Sequence, residues 1–131
     1  MDRRSLRTVL YVDDEPDIRE IVEMSLTLSG DLSVHTCCSG QQALARLPDL
    51  MPDLVLLDVM MPDMDGPSTL GRMRADPRLA PIPVAFMTAK AMPQEVARFC
   101  ALGAIGVIAK PFDPARLEQL VIALWEKPGH V

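Results

Sequence analysis

Residues 54–62 read "LVLLDVMMP", four aliphatic side chains in succession from Leu54 to Leu57 and then a carboxylate, Asp58. A continuous aliphatic run of this length marks a strand covered on both faces, the situation of a parallel sheet packed between helices. Its terminal carboxylate needs an explanation. An unpaired buried charge costs several kcal/mol or changes its protonation instead.

The rest of the chain repeats the pattern of short apolar run and amphipathic segment. Val9 to Val12 reads as a strand followed by Asp13, Asp14 and Glu15, with Pro16 suited to the first turn of a helix. Ile18, Ile21, Val22 and Leu26 recur at helical spacing, and Gly30 supplies a stop. Val34, between Ser33 and His35, suits an edge strand. Gln41 to Leu47 predicts a short helix ending before Pro48.

Beyond the "MMPDMDG" loop, Pro67 opens a helix containing Leu70 and Met73, and Val84 to Met87 forms a fourth strand ending at Thr88. Pro93 starts a helix with Val96, Phe99 and Cys100 on one side, closed by Gly103. Ile105 to Ala109 is a fifth strand ending at Lys110-Pro111. Asp113 and Pro114 then cap a helix with Leu117, Leu120, Val121, Leu124 and Trp125 on its apolar face. Five strands alternating with five helices imply parallel strands, right-handed crossovers and helices on both faces. The expected fold is a doubly wound α/β domain.

The chain has 131 residues, 49% of them hydrophobic and 24% charged, which suits one packed domain and is too apolar for a disordered segment. We expect a single domain over 1–131, with its core at about 8–125 and a short tail at 126–131. A net charge of −5 argues against a broad nucleic-acid footprint, which needs a basic face to neutralise phosphates. Arg3, Arg4 and Arg7 read as a solvated leader. The opening apolar run is interrupted by Asp13 and Asp14, so no secretory signal is expected, and no segment suits a bilayer span.

Cys37, Cys38 and Cys100 make neither an even framework nor a C-x-x-C motif. A reduced, cytoplasmic protein is expected. Adjacent Cys37 and Cys38 read as buried hydrophobes, and His35 and His130 carry no motif.

In a doubly wound sheet, functional groups gather beyond the carboxyl ends of the strands. Asp13 and Asp14 fall there after the first strand, Asp58 after the third, Thr88 after the fourth and Lys110 after the fifth. Each has an ordinary alternative: a helix cap, a turn, a loop hydrogen bond or a solvated lysine. Independent capping roles, however, would not bring all of them to one edge.

Three carboxylates together require relief, since each pair at about 5 Å repels by about 3 kcal/mol at an effective dielectric near 20. Oxygen ligands without His or Cys point to a hard cation, and Mg²⁺ accepts a few carboxylates completed by water and phosphate oxygens. A carboxylate is itself a nucleophile toward phosphorus, while a hydroxyl and an ammonium neutralise the transferred group. Asp58 therefore reads as a phosphate acceptor balanced by a metal and by Lys110.

The motifs "VDDE", "LLDVMMPDMDG", "MTAK" and "AKPF", in this order, closely resemble the receiver domain of two-component response regulators from about Thr8 to Trp125. The resemblance implies a flavodoxin-like fold with strand order 2-1-3-4-5, an order that general accounts of doubly wound sheets give for a receiver of this family. It implies Mg²⁺, or Mn²⁺ as a substitute, held by Asp13, Asp14, Asp58 and the backbone carbonyl of Met60. It implies phosphorylation of Asp58 by a sensor histidine kinase or a histidine phosphotransfer protein. Thr88 and Lys110 would contact the phosphoryl group, and the Lys110-Pro111 peptide would be cis. Such a receiver is not a conventional enzyme. It catalyses its own phosphorylation and dephosphorylation and switches conformation to signal to a downstream target, without itself binding nucleic acid or membrane.

Two positions depart from the family pattern. Val107 stands where an aromatic switch residue is common, and Pro67 follows Gly66 where a larger apolar residue is usual. Three other functions are weighed against this reading. A haloacid-dehalogenase-type phosphohydrolase would carry Asp-x-Asp after its first strand and a substrate cap, and turnover of a small phosphate ester would reveal it. A purely structural receiver-fold module would lack the acceptor set. A dinucleotide-binding domain would need the absent G-x-G-x-x-G.

Overall fold

A computed structural model describes residues 5–126. Arg3, Arg4, His130 and the tail after Glu126 lie outside the described residues. The elements run β1 (Thr8–Val12), α1 (Pro16–Leu26), β2 (Ser33–Cys37), α2 (Gly40–Leu50), β3 (Leu54–Asp58), α3 (Gly66–Ala75), β4 (Val84–Thr88), α4 (Pro93–Ala101), β5 (Gly106–Ala109) and α5 (Leu117–Glu126). All strand pairs are parallel, in the order β2-β1-β3-β4-β5. The doubly wound α/β fold expected from the strand–helix alternation is the one observed.

Burial follows position in the sheet. Every residue of β3 and β4 is buried, whereas the edge strands β2 and β5 keep exposed or half-buried positions. Successive side chains of a strand point to opposite faces, so two separate cores form. Leu10, Val12, Val55, Leu57, Val84 and Phe86 meet α2, α3 and α4 through Leu47, Met73 and Phe99. On the other face Val9, Tyr11, Leu54, Leu56, Met87 and Ile108 meet α1 and α5 through Leu26 and Val121.

Several local expectations need correction. The second helix does not stop before Pro48 but continues to Leu50, with Pro48 inside it. Proline removes one backbone donor and crowds the carbonyl four residues back. Leu47 is fully buried, Leu50 packs on the core, and the Met51 N–H closes the helix on the Leu47 carbonyl, so burial outweighs the local penalty. Cys38 and Cys100 are exposed, and only Cys37 is the buried hydrophobe expected. Ile21, 40% exposed, and Leu120 also lie off the buried stripes of their helices. The last helix begins at Leu117, because Asp113 caps a preceding turn by accepting the Ala115 N–H on Oδ1.

Two long-range clamps set the ends of the fold. Arg74 of α3 donates from Nη1 to the Ala80 and Ile82 carbonyls and from Nη2 to that of Gly103, tying together the loops on either side of β4 and α4. At the amino edge of the sheet, Asp53 Oδ2 accepts the Arg7 and Thr8 N–H groups, and the Trp125 indole N–H donates 3.1 Å to the Asp53 carbonyl. Gly106 leaves room for α5 against β5, since a Cβ there would stand 2.5 Å from the Leu124 side chain.

Candidate functional site at the carboxyl edge of the sheet

The carboxyl ends of β1, β3, β4 and β5 converge on one acidic rim. Asp13, directly after β1, is fully buried; Asp14 is exposed; Asp58 and Thr88, the last residues of β3 and β4, are buried. Carboxylate oxygens of Asp13, Asp14 and Asp58 all lie within 4.8 Å of one another, the one such grouping among the described residues. Lys110, just after β5, places Nζ 2.7 Å from Asp58 Oδ1 and 3.3 Å from Asp13 Oδ2. The Lys110-Pro111 peptide is cis.

The loop after Asp58 is held at both ends. Val59 donates its N–H to the Met87 carbonyl, and its own carbonyl accepts the Gly66 N–H. Gly66 is needed for that approach, because a Cβ there would meet the Asp58 carbonyl oxygen at 2.6 Å. Asp65 then caps α3 by accepting the Ser68 N–H. Met60, inside this loop, is 78% exposed. Across the rim, Thr88 Oγ1 accepts the Lys90 N–H at 3.0 Å.

The electrostatics of the pair are unequal. Burial raises the Asp58 pKa from 3.8; the Lys110 hydrogen bond opposes this, but the like charges of Asp13 and Asp14 add to it and the result is upward. For Lys110, burial alone would lower the value, yet the hydrogen bond and charge of Asp58, with Asp13 behind it, raise it above 10.5. The asymmetry has a simple cause. Lys110 faces two carboxylates, whereas Asp58 faces one ammonium and two like charges.

The donor chemistry fits a hard divalent cation: an all-oxygen set of three carboxylates, one of them exposed to solvent, with no thiol or imidazole in the group. The six residues singled out from sequence do not all have the same standing. Asp13, Asp14, Asp58 and Lys110 are brought together, Thr88 ends the neighbouring strand at the same edge, and Met60 lies in the loop two residues beyond Asp58. Tyr11 belongs beside them, although sequence reasoning assigned it only to the first strand. Its hydroxyl donates to Asp13 Oδ2 at 2.5 Å, and burial together with that bond pushes the phenol far above its ordinary pKa. The signal was available, since Tyr11 and Asp13 are two apart along extended chain and so face one side.

Residues 9–122 match the response regulator receiver domain family. The chain is 39% identical over 114 residues to the response regulator Rre1 of Synechocystis, covering 87% of this chain and 49% of the relative. It is 33% identical over 123 residues to the DNA-binding dual master transcriptional regulator RpaA of the same organism, covering 94% and 51%. The chain thus spans about half the length of these curated relatives. Among solved structures, the chemotaxis response regulator CheY4 of Vibrio cholerae superposes with a TM-score of 0.82 at 28% identity, covering 92% of this chain and 99% of that one.

Proposed function

Because the chain belongs to the response regulator receiver domain family of two-component systems, whose receivers are phosphorylated on an aspartate, we propose that Asp58 is its phosphoryl acceptor. The observation that carries this reading is the contact of Asp58 with Lys110 inside the three-carboxylate rim. An Asp58 oxygen attacks phosphorus, the bond from phosphorus to the donor breaks, and an acyl phosphate forms. The donor is a phosphohistidine on a sensor histidine kinase or a phosphotransfer protein, whose imidazole leaves with the bonding electron pair.

The residues of this chain divide the work. Asp13, Asp14, Asp58 and the Met60 carbonyl would hold Mg²⁺, with Mn²⁺ as a substitute; when bound, the cation neutralises charge between the carboxylates and the phosphoryl oxygens. The Lys110 ammonium turns from Asp58 to a phosphoryl oxygen, and the Thr88 hydroxyl donates to another. Attack of water on the acyl phosphate restores Asp58, so the domain catalyses both its charging and its discharge. The signal then passes to a downstream target through a change of conformation. Net charge of −5 opposes direct contact with nucleic acid. Among the described residues no helix is long and apolar enough to cross a membrane, and the proposed phosphohistidine donors put the domain in the cytoplasm.

The test is incubation with acetyl phosphate, with Mg²⁺ or with a chelator, followed by intact mass measurement. One added phosphoryl group is expected, dependent on the cation and absent from Asp58→Ala. Labelling that persists in that variant, or in chelator, would overturn the assignment.

A further inference from the structure

Tyr11 presents a hydroxyl where the core requires only a ring. The residue is fully buried at the penultimate position of β1, in register with Thr36 of β2 and Leu56 of β3, and it belongs to the core layer of Leu26, Leu56 and Val121. Phenylalanine would fill the same volume. A hydroxyl taken from water into such surroundings costs free energy unless it is hydrogen-bonded, and this one donates to Asp13 Oδ2.

Asp13 is also fully buried, and its acceptors are divided among three donors. Oδ1 takes the Glu15 N–H, while Oδ2 is shared by the Tyr11 hydroxyl and the Lys110 ammonium. Lys110 is at the same time bonded to Asp58. If Lys110 turns toward a phosphoryl group, Tyr11 becomes the remaining side-chain donor on Asp13. We propose that Tyr11 is a positioning residue of this site, whose hydroxyl fixes the Asp13 carboxylate in the orientation that a divalent cation requires while Lys110 changes partners. The part played by Lys110 rests on the phosphoacceptor reading above; the bond from Tyr11 to Asp13 does not.

Tyr11→Phe in the full chain tests this, because it keeps the ring and removes only the donor. Amide chemical-shift titration with Mg²⁺ should show affinity weakened by about tenfold, the lower end of what losing one hydrogen bond to a charged group costs. In the metal-free variant the amide resonance of Glu15, whose N–H is bound to Asp13, should shift as the carboxylate reorients. A melting point that moves while Mg²⁺ affinity stays at the wild-type value would mark Tyr11 as structural and overturn the proposal. An unmoved Glu15 amide would overturn it equally. Failure of acetyl phosphate to label wild-type Asp58 would instead remove the functional reading, leaving the Mg²⁺ titration to judge Tyr11 separately.

Discussion

Lys110 and Asp58 touch across an intervening strand. Asp58 ends β3 and Lys110 directly follows β5, strands separated in the sheet by β4, yet Nζ and Oδ1 are 2.7 Å apart. Neighbouring strands are spaced by about 4.8 Å, so the lysine side chain bridges two strand spacings. Its contacts with two buried carboxylates give this ammonium a part in stability as well as at the rim. Without divalent cation, Lys110→Ala should lose about 1–3 kcal/mol in urea denaturation, less than for a fully enclosed ion pair because its side chain is 20% exposed. Mg²⁺ should recover part of the loss, and a variant as stable as wild type in chelator would refute this.

Asp58 makes stability depend on pH in the opposite sense from an ordinary salt-bridged carboxylate. Its folded-state pKa lies above the reference value of 3.8, chiefly through burial, so its contribution is full below 3.8 and is lost as pH rises through the raised value. Lys110, also raised, contributes below 10.5 and loses that contribution as pH climbs through its own raised value. Metal-free Asp58→Asn should therefore exceed wild type in stability at neutral pH, with the gap closing as pH falls toward 3.8. Urea denaturation at a series of pH values measures it, and a gap that widens on acidification would contradict the sign.

Phosphorylation can shift the domain only between packings that already compete. Thr88 Oγ1 is bonded to the Lys90 N–H, so drawing the hydroxyl toward a phosphoryl group strains the 88–93 loop first. Val107, half-buried against the layer of Phe86 and Phe99, is β-branched and has no large surface to swing. With beryllofluoride and Mg²⁺, NMR shifts should concentrate in residues 88–93 and the first turn of α4. Large methyl shifts at Val107 spreading into α5, with the loop unmoved, would contradict this route.

Pro48 offers a test away from the rim. A proline inside a helix costs about 3 kcal/mol, and its replacement returns up to about 1 kcal/mol of freedom to the unfolded chain. Pro48→Ala should thus stabilise by about 2 kcal/mol, seen as a higher urea midpoint without change in Mg²⁺ affinity. A lower midpoint would mean that the half-buried ring packs better than the backbone suffers.

The sequence was most legible where burial and periodicity agree. The aliphatic run of β3 and the Asp58 that ends it identify a central parallel strand and its functional rim, because a strand covered on both faces tolerates a charge only at its end. Pro48 reads as a helix end by local chemistry alone, which Leu47 and Leu50 outweigh by anchoring the helix to the core. Cys38 and Cys100 were misplaced because a thiol's apolar character says nothing of which way its Cβ points. Arg74 and Asp53 gave no local signal at all, since their partners lie up to 29 and 72 residues away. Tyr11 was hidden for another reason. Its ring satisfies the apolar pattern of β1, which leaves the hydroxyl without a signal of its own.

The clamp between Trp125 and Asp53 gives the chain a built-in spectroscopic division of labour. Trp125 is the sole tryptophan, and its indole is bonded at the residue preceding β3, whereas Asp58 closes the far end of that strand. Five residues of extended chain, roughly 16 Å, separate the two. Indole fluorescence therefore reports the docking of α5 on the amino edge and the global unfolding that releases it, and it is blind to occupancy of the acidic rim. One cuvette can follow unfolding through tryptophan while a label placed in the 88–93 loop follows the switch.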